Sequence, residues 1–199
     1  MGHSQAEKAE SRERILDAAA RQIRQGGLES VSIAELMKAA NLTHGGFYGH
    51  FSSRAALIAA SFERALERGE DAFTAAEPVK GDATVKSIVN RYLSPAHRDN
   101  TGDGCAIAAL AGDVGRAEDT EVRDRMVRRL EHSFDDMAQA MGGGQEAERA
   151  AIAAWCSMVG AISLARVFSG TDRSDEILRC ARQSILELEA GVRAAAGRA

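Results

Sequence analysis

The run Asn41-Leu42-Thr43-His44-Gly45-Gly46-Phe47-Tyr48-Gly49-His50-Phe51-Ser52-Ser53-Arg54 concentrates the side chains that could do chemistry. An aromatic hydroxyl (Tyr48), an imidazole (His50) and a guanidinium (Arg54) follow a short capped segment. Each can donate a hydrogen bond to phosphate, and Arg54 adds positive charge near a helix start, where anions are already favoured. Phe47 and Phe51 are apolar and would anchor the segment to a core, leaving the polar donors on the other face. A bland alternative is that Tyr48 and His50 only cap the junction into the next helix.

A second candidate is Cys105, which follows Gly102-Asp103-Gly104 at an expected helix start. Such a setting lowers a thiol pKa and suits an electrophile or oxidant sensor, whereas a buried cysteine is simply a small hydrophobe. Cys105 with His97 or His132 could be drawn as a nucleophile and base. No orienting motif, nucleotide-binding loop or metal constellation accompanies them, so we expect no enzyme, no cofactor and no metal site. The three cysteines, Cys105, Cys156 and Cys180, are too few and too widely spaced for a disulfide framework, which suits a reducing cytoplasm.

Helices must position these groups. Ile15, Leu16, Ala19 and Ile23 recur at helical spacing and predict a helix over 10–25, ended by Gly26-Gly27. Ser32 with Glu35 is a capping box that opens a short helix through Ile33, Leu36, Met37 and Ala40. Asn41 tolerates positive φ, and Thr43 is a good N-cap for another short helix. Two short helices joined by about three residues follow the helix-turn-helix plan. A long helix is expected over 54–75, with breaks at Pro78 and Gly81, then helices near 82–94, 105–114, 119–141 and 145–168, and a last one through Ile177, Leu178, Ala181, Ile185, Leu188 and Val192. A polar loop is expected over 95–104. No segment reads as a strand.

The chain has 199 residues, 45% hydrophobic and 27% charged, which suits a folded core rather than disorder. The net charge is −4, yet residues 1–60 carry seven basic against six acidic residues. A less acidic head on an acidic body points to an anionic partner at the N-terminal end, although many solvated surfaces share this pattern. Arg12 and Arg14 suit either DNA contact or a solvated helix start. No apolar leader follows the polar start, and the uncharged run 150–165 is short for a bilayer span, so a buried helix and no membrane partner are expected.

Arg14-Ile15-Leu16-Asp17-Ala18-Ala19, Ser30-Val31-Ser32-Ile33-Ala34-Glu35-Leu36 and Phe47-Tyr48-Gly49-His50-Phe51-Ser52-Ser53-Arg54 with Leu57 together resemble the TetR family of bacterial transcriptional repressors. The specific likeness covers about residues 10–66. It implies an all-α chain: an N-terminal three-helix helix-turn-helix head joined by a long helix to a C-terminal helical ligand-binding and dimerisation domain. The corresponding boundaries are 1–9 for a polar tail, 10–70 for the head and 71–199 for the body. Carried over by position, Thr43, His44 and Gly45 start the recognition helix. Ser32, Tyr48, His50 and Arg54 match phosphate-contacting positions, and Lys38 is a further candidate for backbone contact. Asn41 stands where the family usually has glycine. Gly45-Gly46 makes a poor helix and removes base-reading side chains, so close backbone approach is expected, with His44 and Tyr48 as candidate base readers.

A reader of palindromic DNA needs two heads. Ala153, Ser157, Gly160, Ala161 and Leu164 on the penultimate helix, with Leu178, Ala181, Ile185 and Leu188 on the last, are the candidate homodimer interface. The alternative is that both helices bury these faces within one subunit. The resemblance further implies a small-molecule effector in a cavity lined by Tyr92, Cys105, Phe134, Met137, Trp155 and Met158, although such residues are commonly plain core. The expected function is a ligand-responsive repressor of a palindromic operator. A thiol-based regulator through Cys105 and a helical adaptor without DNA binding are the competing possibilities.

Overall fold

Glycine and asparagine set the punctuation of this chain. Gly27 (φ 87°), Asn41 (φ 58°), Gly142 (φ 111°), Gly143 (φ 76°), Gly144 (φ 84°) and Gly170 (φ 83°) occupy the left-handed region. The protein is described by a computed structural model covering residues 5–74 and 84–197. Among the described residues the elements are all helical: α1 (Gln5–Gly26), α2 (Ile33–Ala39), α3 (Arg54–Thr74), α4 (Val85–Tyr92), α5 (Pro95–Asp99), α6 (Ala106–Arg116), α7 (Thr120–Ala140), α8 (Gln145–Val167) and α9 (Asp172–Ala196), with 3₁₀ turns at Leu28–Ser30 and His44–Gly49.

Most boundaries follow local chemistry. α1 starts earlier than expected because Ala6, Glu7, Lys8 and Ala9 are good helix formers. Ser32 caps α2 by accepting from the Glu35 amide, and Asp119 caps α7 by accepting from the amides of Glu121 and Val122. The expected loop over 95–104 contains α5, where Ser94 caps and Pro95 takes the first turn. The helix expected from residue 82 begins at Val85, capped by Thr84. The expected breaks at Pro78 and Gly81, and the helix end at Ala75, lie outside the described residues.

The broadest helix pairing is α8 with α9, followed by α1 with α3 and α7 with α8. α8 is the one helix among the described residues long and apolar enough to cross a membrane. Its alanine-rich side (Ala147, Ala150, Ala151, Ala154, Ala161 and Ala165, with Met158 and Ile162) is buried inside the subunit. Small side chains let α7 and α9 approach it closely.

α1, α2 and α3 enclose the N-terminal core of Ile15, Leu16, Ile23, Leu36, Met37, Phe47, Leu57 and Phe62. Arg64 holds Glu13 and Asp17, and Arg68 also holds Asp17, so α3 is clasped to α1. Polar contacts help fasten this head to the body, among them ion pairs of Arg21 with Asp103 (2.8 Å) and of Arg125 with Glu63. Arg24, only 5% exposed, donates from Nε to the Gly102 carbonyl (2.6 Å) and from Nη1 to the Ala65 carbonyl (3.1 Å). Asp113 of α6 accepts from the Leu28 amide (3.1 Å). Gly27 is required beside it, because a Cβ there would lie 2.4 Å from the Asp113 carboxylate.

In the body, His97 joins two main-chain segments. Its Nδ1 lies 2.6 Å from the Tyr92 carbonyl, and its Nε2 accepts from the Cys105 amide at 3.0 Å. This pattern fixes a neutral ring with the proton on Nδ1. Burial pushes the His97 pKa from 6.5 down to about 4, although the bond to the Tyr92 carbonyl works the other way.

Two outcomes follow for stability. Above pH 6.5 His97 is neutral in both folded and unfolded chains. Between pH 6.5 and about 4 the unfolded chain takes up a proton that the native ring refuses, so stability falls as the pH falls. A displacement of this size corresponds to roughly 3 kcal/mol. Urea unfolding across that window should show the loss, and His97→Gln should flatten it. Arg24→Met leaves two buried carbonyls without their donor and should lower stability by roughly 2–4 kcal/mol in the same assay.

Candidate nucleic-acid interface

The glycines at 45, 46 and 49 decide how the exposed segment winds. An α-helix was expected from Thr43; the chain instead forms a 3₁₀ turn over His44–Gly49. The Gly46 amide donates to the Thr43 carbonyl (3.0 Å) and the His50 amide to the Phe47 carbonyl (2.9 Å). Glycine contributes no side-chain packing and little preference for the wider helix, so the tighter turn prevails. With three residues per turn, Gly45 lies under Tyr48 and Gly46 under Gly49. A Cβ at Gly45 or Gly49 would meet nothing within 4 Å, so this side is bare backbone.

Phe47 holds the turn down. It is 1% exposed, stacks on Phe51 with centroids 5.8 Å apart, and meets the Tyr48 ring edge-on at 5.2 Å. Tyr48 is 73% exposed, so neighbouring aromatics have opposite fates. Thr43, His44, Gly45 and Lys38 are exposed, and Ser32 is half-buried at the start of α2. Thr43 occupies the N-cap position without a side-chain capping bond.

His50 closes the turn half-buried, with its Nδ1 enclosed and without a hydrogen-bond partner. Burial first, then the positive charges of Lys8 and Arg12, hold its pKa below the ordinary histidine value. Lys8 is a neighbour that pattern reading missed. The extra first turn of α1 brings it there, and its only sequence signal was the run of helix-forming residues before Glu10. Arg12 lies over the Phe51 ring, 5.1 Å from its centroid.

Arg54 differs most from the expectation of an outward phosphate ligand. Its Nη1 donates to the Glu29 carboxylate (3.0 Å) and its Nη2 to the Glu29 carbonyl (3.0 Å). The guanidinium is folded back onto the turn between α1 and α2.

Of the six residues expected around an effector, Tyr92 is brought against Trp155 and Cys105. Tyr92, Cys105, Met137 and Met158 are buried, while Phe134 and Trp155 are half-buried. Tyr92 meets Trp155 edge-on (5.5 Å), and Trp155 Nε1 donates to the Ser133 carbonyl (2.8 Å). Burial, followed by the adjacent Cys105, raises the Tyr92 pKa. Cys105 is 5% exposed, and Cys156 and Cys180 are the exposed cysteines. Because His97 Nε2 accepts the Cys105 amide, its lone pair is not directed to the thiol, and His132 is exposed on α7. An open groove of about 390 Å³ along α9 is lined by Arg179, Arg182, Gln183, Leu186, Glu187 and Ala190, none of them among the six. Among the described residues, no His, Cys, Asp and Glu group is arranged to hold a metal ion.

The expected interface residues divide by face. Ala161, Leu178 and Ile185 are packed inside the subunit, because α8 and α9 use those positions to hold each other. Ala153, Leu164 and Leu188 are exposed, and Ser157, Gly160 and Ala181 are half-buried. Ile152, Cys156 and Val167 extend the outward stripe of α8 beyond the residues expected from sequence.

The chain is similar in fold to known proteins. Residues 15–61 match the family described as bacterial regulatory proteins, tetR family. No curated protein sequence matches the chain. Among solved structures, a TetR-family transcriptional regulator from Cytophaga hutchinsonii is similar at 20% identity and TM-score 0.75, over 95% of this chain and 98% of that one. A TetR transcriptional regulator from Chloroflexus aurantiacus is 21% identical with TM-score 0.76, over 91% and 94%. The reduced form of Escherichia coli NemR is 21% identical with TM-score 0.68, over 88% and 95%. Residues 15–61 therefore match the TetR-family N-terminal model, within a chain whose fold is similar to that of TetR-family regulators.

Proposed function

We propose that the protein is a DNA-binding transcriptional regulator: a homodimeric repressor that reads a palindromic operator and is released by a small-molecule effector in the cytoplasm. The observation that carries the reading is the His44–Gly49 turn. Phe47 is buried while Tyr48 stands out at 73% exposure above bare glycine backbone. Such a surface suits a duplex groove better than a protein partner, because it offers polar tips and main chain rather than apolar area. Thr43, His44 and Tyr48 would meet base edges or phosphates, and Ser32, Lys38 and His50 the flanking backbone. His50 would act through Nε2, because Nδ1 is enclosed.

The head would span 10–70 and the body 71–199, with dimerisation through the outward stripe of α8 and α9. Leu164 (55% exposed) and Val167 (79%) are large apolar groups for a second copy to cover. An effector would open the packed cluster around Tyr92, Cys105 and Trp155. Cys105 adjoins the 100–104 loop, whose Gly102 carbonyl receives Arg24 of α1. A shift there would move the head, and an effector favouring the shifted state would lower operator affinity by population shift.

Selection from random duplex DNA should return a palindrome with half-sites about 34–36 Å or a multiple apart. Affinity should fall steeply with added salt. Failure to retain any duplex at low salt would overturn the proposal. Gly45→Ala meets no steric obstacle and should keep or slightly raise the melting temperature. It should nonetheless weaken operator binding at least several-fold, and unchanged affinity would remove the close backbone approach.

A further inference from the structure

The two bonds from Arg54 end on the side chain and main chain of one residue, Glu29. Other contacts hold the turn that presents Glu29. The Leu28 amide donates to Asp113 (3.1 Å), the Ser30 carbonyl accepts from Gln22 (2.9 Å), and the Ser30 hydroxyl donates to the Gly27 carbonyl (2.7 Å). The Glu29 carboxylate is therefore dispensable for shaping the turn, and its side chain is 87% exposed. It is an anion occupying part of an arginine fork at the start of α3, where a DNA phosphate would otherwise be accepted.

We propose that Glu29 is a specificity-determining residue that acts as an internal competitor for phosphate at Arg54. The inference rests on the DNA-binding reading above. In the free head the carboxylate neutralises Arg54, while the Glu29 carbonyl keeps the second arm of the fork aimed. A phosphate must displace the carboxylate to gain the contact. On any duplex this reduces the electrostatic contribution that is independent of sequence. A cognate site, whose groove contacts fix one phosphate opposite Arg54, displaces the carboxylate readily, whereas a random site holds no phosphate there in one register and does so poorly. An exposed ion pair is weak, so the penalty is a factor of a few rather than of hundreds.

A double-mutant cycle tests the assignment, using full-length wild type, Glu29→Gln, Arg54→Met and the double variant. Each is titrated with a random-sequence duplex and with the duplex recovered by selection, over a range of potassium chloride. Glu29→Gln should bind the random duplex about two- to fivefold tighter. Its plot of log affinity against log salt should steepen by about one, the value for one additional phosphate contact. The selected duplex should gain less, narrowing the ratio between the two. In the Arg54→Met background the same substitution should change neither affinity nor slope. An equal gain in that background would overturn the proposal, because Glu29 would then repel DNA without acting through Arg54. Weaker binding by Glu29→Gln with an unchanged melting temperature would also overturn it, by making the pair a brace that helps binding. Glu29→Ser provides the same comparison should the glutamine variant melt early. Absence of binding by the wild type to either duplex at low salt would instead overturn the DNA-binding reading.

Discussion

A buried guanidinium governs how the two parts of this protein sit together. Arg24 leaves water almost completely and finds carbonyl partners on α3 and on the loop between α5 and α6. A buried cation with unmet donors is expensive, so these partners cannot separate without admitting water or a substitute acceptor. Asp103 lies 3.9 Å away and supplies partial charge balance from the same loop. Burial nevertheless remains the largest influence on the Arg24 pKa and lowers it. These directional bonds act beside the apolar packing of α1 and α3 on α6 and α7, which belongs to one continuous buried core.

The same economy marks the outward surface of the head. Its basic residues are largely occupied: Arg24 is internal, Arg54 is folded onto Glu29, Arg14 pairs with Glu10, and Arg64 and Arg68 clasp the acids of α1. What remains exposed around the His44–Gly49 turn is polar, aromatic and main chain, with Lys38 as the exposed cation of α2. The exposed surface of this turn therefore divides between hydrogen-bonding side chains and bare main chain. The glycines support that division by leaving the backbone uncovered, and Phe47 provides the burial that a short turn with such a composition could not supply itself.

In the body, His97 plays a comparable part on a smaller scale. Its two ring nitrogens span the end of α4 and the start of α6, so a single neutral side chain sets the spacing around Tyr92 and Cys105. Arg166 then donates to the carbonyls of His97 and Arg98, carrying the link to α8. The cluster expected to receive an effector is thus bounded by directional bonds on several sides. A ligand entering it would act on main-chain positions as well as on side chains.

Local patterns in the sequence were sufficient for the helical class, for the caps at Ser32 and Asp119, for the left-handed Asn41 and for the buried Phe47, since each depends on neighbours within a few positions. Ser94-Pro95 also announced α5, a signal overshadowed by the polarity of the residues after it. Sequence spacing could not distinguish the inward from the outward side of α8 and α9. Both sides are rich in small or apolar residues, and only packing placed Leu178 and Ile185 inside with Leu164 outside. Nor could it reveal that Arg54 meets Glu29, or that Arg24 is a strut and not a surface charge. Those pairings join residues 25, 41 and 78 positions apart, and a charged side chain has no fixed partner until the fold brings one within reach.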